Sequence, residues 1–78
     1  MTNRIIANVI REWKDDAKIS HIILFDYKYR DHTLRIFTDK PGPMIGLRGE
    51  RFDRFHSRLK HCISDDLKIE LVETSGVA

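Results

Sequence analysis

The chain has 78 residues, 41% hydrophobic and 33% charged, a balance that suits one small globular domain over residues 1–78 and excludes a disordered polyelectrolyte. No apolar run exceeds four residues, which excludes a membrane partner by this route, and residues 1–10, broken by Asn3, Arg4 and Asn8, lack a secretory pattern. The single Cys62 excludes an internal disulfide and fits a cytoplasmic protein, and a net charge of +2 leaves the case for an anionic partner to the distribution of charge.

The first segment reads as a helix. Ile6, Val9, Ile10, Trp13 and Ala17 recur at three- and four-residue spacing and form one apolar stripe, with Thr2 or Asn3 at its start and Glu12, Lys14, Asp15 and Asp16 on the solvent side. From residue 20 to about 30 the pattern turns β-like: Ile22, Ile23, Phe25, Tyr27 and Tyr29 stand against Asp26, Lys28 and Arg30. Asp31-His32 is a polar break. Leu34, Ile36 and Thr38 then alternate with Arg35, Phe37 and Asp39, so the two runs predict an antiparallel hairpin.

Pro41-Gly42-Pro43 ends the second strand, and the preset φ of Pro43 predicts a short helix over residues 43–45. Gly46 and Gly49 frame a two-residue loop tip. A longer helix is expected over residues 50–63, with Phe52, Phe55, Leu59, Cys62 and Ile63 on one buried arc. Ser64-Asp65-Asp66 breaks it. Leu67, Ile69 and Leu71 alternating with Lys68, Glu70 and Val72 read as a last strand, and residues 74–78 as a frayed tail. The order helix–strand–strand–helix–helix–strand predicts an α+β domain, a three-stranded mixed sheet with helices on one face. The passage through two helices allows the second and third strands to run parallel.

The 46–49 loop carries the chemistry. Glycine reaches φ > 0 and lets a ligand approach the backbone, and the loop stands at the start of a helix, where unpaired N–H groups favour an anion. Arg48 at the tip can bind phosphate bidentately. Taken alone, such a glycine pair also suits an ordinary interhelical turn. Its setting narrows the reading. Thr38-Asp39-Lys40-Pro41-Gly42-Pro43-Met44-Ile45-Gly46-Leu47-Arg48-Gly49-Glu50, followed by Phe52 and Phe55, closely resembles the signature of a type II KH domain. Upstream, Ala17-Lys18-Ile19-Ser20 and Leu34-Arg35-Ile36-Phe37-Thr38 resemble the KH domain of a universal small-subunit ribosomal protein family, and residues 67–73 are similar to its last strand. The resemblance covers about residues 5–73 and implies a type II KH fold.

It further implies binding to about four nucleotides of single-stranded RNA, or of single-stranded DNA, with the glycine loop on the backbone. On that reading Gly46, Leu47, Arg48 and Gly49 hold phosphates. Pro43, Met44 and Ile45 border the base groove on one side and residues 68–70, with Lys68, on the other, while Lys40 and Arg51 extend the positive surface. Nucleic-acid-binding members usually place at least one basic residue, often two, at the variable positions held here by Leu47 and Arg48, and Asp39 stands where a small neutral residue is commoner. Leu47 and Asp39 support a second reading, a KH-fold module that docks on a protein or on the ribosome.

Arg54 and Arg58 follow Arg51 along the long helix and suit either a basic surface or a solvated face. Phe25, Tyr27 and Tyr29 suit sheet packing better than base stacking, whereas Phe37, opposite Leu34 and Ile36, is the better candidate for an exposed aromatic. His21, His32, His56, His61 and Cys62 form no metal-ligand spacing, and no nucleophile stands beside a base with an orienting third group. The sequence therefore predicts a non-enzymatic protein with no metal and no cofactor.

Overall fold

Six helical or β segments converge on one apolar cluster. The computed structural model describes residues 2–20 and 23–74. Its elements are α1 (Thr2–Asp16), β1 (Leu24–Lys28), β2 (Thr33–Thr38), α2 (Pro41–Ile45), α3 (Glu50–Cys62) and β3 (Lys68–Glu73), with a 3₁₀ turn (Leu47–Gly49) between α2 and α3. The order is the predicted one, and the protein is α+β. β2 is the central strand: β1 pairs with it antiparallel and β3 parallel.

The apolar stripe of α1 does what its spacing predicts, and Ile6, Val9, Ile10 and Trp13 are all buried. On the sheet, Leu34 and Ile36 are fully buried, and Phe25, Tyr27, Ile69 and Leu71 pack against the same cluster as Phe55 and Leu59 of α3. The helices thus cover one face of the sheet. Side chains alternate along a strand, so the opposite face carries Leu24, Phe37 and Val72 in one register row and Asp26, Arg35 and Glu70 in the next. Arg35 and Glu70 pair there at 3.6 Å.

Several boundaries differ from the sequence expectation. The first strand is shorter than residues 20–30. His21 and Ile22 lie outside the described residues, and at the other end Tyr29 belongs to the turn, closed by the His32 amide donating to the Tyr29 carbonyl at 3.3 Å. His32 adopts a left-handed φ of 49°, which a four-residue reversal requires and a strand does not. Tyr29 is accordingly exposed, edge-on to Tyr27 at 5.0 Å. Phe37 is on the open face as predicted but half-buried in its row between Leu24 and Val72. α2 begins at Pro41 rather than Pro43, because the first turn needs no N–H donors and a proline suits its start.

α3 ends at Cys62, and Cys62 is exposed rather than buried. The buried arc centres on Phe55, Leu59 and the half-buried Phe52 and Ile63; Cys62 sits at its margin, toward Arg58. His56 Nε2 donates to the Leu67 carbonyl at 2.8 Å and ties α3 to the turn before β3. The tail beyond Thr74 lies outside the described residues.

Candidate nucleic-acid interface

The glycine loop is held from two sides. Trp13 is fully buried, stacks on Phe55 at a centroid distance of 5.3 Å, and donates its indole N–H to the Met44 carbonyl at 2.8 Å. A buried N–H left without a partner would be costly, so this bond fixes α2 against α1. Arg51, in the first turn of α3, donates through Nη1 to the Pro43 carbonyl at 2.6 Å and through Nε to Asp16 at 2.8 Å. Arg54 also donates to Asp16, and Arg58 makes a bidentate pair with Glu12 at 2.5 and 3.1 Å. The hydrogen bond from Arg51 holds the Asp16 carboxyl below its ordinary value, with Arg54 adding to the effect, and Arg58 does the same for Glu12.

Between these anchors the backbone takes conformations that favour glycine. The Gly46 amide donates to the Gly42 carbonyl at 2.9 Å, the last helical bond of α2. Gly46 has φ 78° and ψ −176°, a region open almost only to glycine, and a Cβ there would stand 2.8 Å from the Arg51 Cβ and 3.2 Å from its backbone nitrogen. Gly49 has φ 76° and ψ 9°, with open space where a Cβ would be, so only its dihedral favours glycine. Arg48 between them is also left-handed, at φ 56°. The positive φ of Gly46, Arg48 and Gly49 turns the loop so that the Leu47 and Arg48 side chains stand in solvent; Leu47 is 78% exposed.

Beside the loop lies an almost wholly apolar groove of about 280 Å³, lined by Ile45, Gly49, Phe52 and Leu71. Below the loop is a smaller polar one of about 140 Å³, lined by Asp16, Gly46, Leu47, Glu50, Arg51 and Arg54.

The structure brings Gly46, Leu47, Arg48, Gly49 and Ile45 together as expected. Pro43 is exposed next to them, and Lys40 is exposed at the entry to α2, its amide donating to Thr38 Oγ1 at 3.0 Å. Three residues fall elsewhere. Met44 does not border the groove, since its side chain is fully buried in the core and only its carbonyl takes part, toward Trp13. Lys68 and Glu70 do not border it either: Leu71 faces inward, so strand alternation sends Lys68 and Glu70 to the opposite face, and Lys68 lies about 10 Å further along the strand. Arg51 is near the loop, but its guanidinium is engaged by Asp16 and Pro43.

Conversely, Leu71 and Phe52 line the apolar groove and Asp16 the polar one, and none of the three was anticipated there. Leu71 was readable from its parity with Ile69; nothing in the sequence pairs Asp16 with a residue 35 positions away. No family model, curated protein or solved structure matches this chain.

Proposed function

We propose that this chain is a KH-type module of the type II arrangement that binds single-stranded RNA without catalysing a reaction. The observation that carries the reading is the left-handed 46–49 turn, opening directly onto the start of α3 beside an apolar groove. The parts suit a nucleic-acid strand. Unpaired bases have apolar faces that Ile45, Phe52 and Leu71 would contact, while the amides of Leu47 and Arg48 and the Arg48 guanidinium would meet phosphate. The groove offers almost no polar surface, so contact rather than base-edge hydrogen bonding would dominate inside it. The resemblance of residues 38–55 to the KH signature supports the same reading.

The test is the double substitution Leu47→Asp with Arg48→Asp. Both side chains are exposed, so the fold is expected to persist while binding to short RNA is lost. Retained affinity would show that the loop is not the phosphate clamp.

A second reading is a KH-fold module that docks on a protein or on the ribosome. The exposure of Leu47, an apolar side chain at the loop tip, favours it, as do Glu50 and Asp53 in the first turn of α3, where they already answer the helix dipole. A salt titration separates the two. Phosphate contacts weaken steeply as salt rises, and an apolar protein contact does not.

A further inference from the structure

The side of α1 away from α3 carries a third groove. Ala7, Ile10, Arg11 and Lys14 of α1 line it with Ile23 and Phe25, leaving a space of about 250 Å³ between the helix and the outer edge of the sheet. That edge is β1, which among the described residues has a strand neighbour on one side only. A helix lying beside an unpaired strand edge is the setting in which an extended peptide adds as a further strand, its backbone pairing with the edge and its alternate side chains entering the groove.

The floor is apolar, from Ile10, Ile23 and Phe25, and the rim is basic. Arg11 and Lys14 make no ion pair among the described residues, unlike Arg51, Arg54 and Arg58. Arg4 continues their stripe about two turns toward the N-terminus.

We propose that this edge groove binds an extended segment of another protein, whose groove-facing side chains combine apolar residues with carboxylates, as an added strand on β1. The charges argue against a second copy of this chain. A symmetric antiparallel pairing centred on β1 sets Asp26 against its own counterpart and brings two basic α1 stripes side by side. They also favour a peptide over a nucleic-acid strand, which would meet two cations and leave the apolar floor and the strand edge unfilled. The proposal stands apart from the RNA reading, because the groove shares no lining residue with the glycine-loop side.

The experiment is an NMR titration of the full chain with a short synthetic peptide that carries valine and glutamate on one face of the strand and threonine on the other, run beside its valine–lysine counterpart, a proline-interrupted version and a short single-stranded RNA. The expected result is shifts at Ala7, Arg11, Lys14 and Leu24–Lys28, with new exchange protection on β1 amides. The glutamate peptide should bind at least about tenfold more tightly than the lysine one, and the proline version should not bind. Arg11→Glu with Lys14→Glu should reverse the charge preference. Equal binding of the two charged peptides, shifts elsewhere, or RNA occupying these same residues would overturn the proposal. The wild-type peptide pair decides even if the double variant does not fold.

Discussion

On the α3 side of helix α1, Glu12 pairs with Arg58 and Asp16 with both Arg51 and Arg54, and Trp13 holds the Met44 carbonyl; on the β1 side, Arg11 and Lys14 face a groove with no carboxylate among its lining residues. Both sides are rich in cations, yet only one has them matched. The cations closest to the glycine loop position it and are not free for a ligand, so the loop's own charge rests on Arg48 with Lys40. The cations that look peripheral in sequence are the available ones. A basic count near a motif is therefore a poor guide to its electrostatics until the partners are known.

The sharpest test of the matched side is Trp13→Ala. It removes the largest fully buried side chain and leaves the Met44 carbonyl without its donor, so a loss of about 3–5 kcal/mol is expected in denaturant unfolding. A loss of only a few tenths would mean that α1 does not anchor α2. Next come the two glycines. Gly46→Ala meets both a forbidden dihedral and the Arg51 Cβ and is expected to cost about 3 kcal/mol, against about 1 kcal/mol for Gly49→Ala, which meets the dihedral alone. Equal costs by thermal unfolding would show that the Arg51 contact yields easily.

The third test compares the two sets of charges directly. Asp16 and Glu12 titrate below their ordinary values, so their contribution to stability is present at neutral pH and is lost as pH falls below about 4. Melting temperature followed across the acid range should fall there, and Asp16→Asn should lower it at neutral pH and flatten the acid decline. Arg11→Ser, on the unmatched side, should stay within about 0.5 kcal/mol of wild type. The smallest effect is expected for Lys68→Ala. Lys68 lies on the opposite sheet face from the groove, so on the RNA-binding proposal affinity should stay essentially unchanged; a clear loss would move the proposed nucleic-acid path to the open sheet.

Much of the fold was legible because it rests on local regularities. The α1 stripe, the alternation in β2 and the glycine-framed turn each follow from period or dihedral within a few residues. Boundaries slipped where a local rule had two solutions, as with Pro41 and Pro43 at the start of α2, or where a turn took residues from a strand, as at Tyr29. Within the candidate site, the clustering of Gly46, Gly49, Leu47, Arg48 and Ile45 at one loop was legible for the same reason. The burial of Met44 was not, because its inward direction depends on α1 lying above it, and Lys68 falls on the face away from the apolar groove because strand parity follows Leu71.

By itself the sequence determined the element order, the loop that only glycine comfortably permits, and the division of most side chains into inward and outward sets, since these depend on backbone sterics and short periods. Only the tertiary structure decided which charges neutralise one another. Arg51 meets Asp16, and Arg58 meets Glu12, across separations of 35 and 46 residues, and Coulombic and hydrogen-bond energies depend on distance in space, which no local pattern encodes.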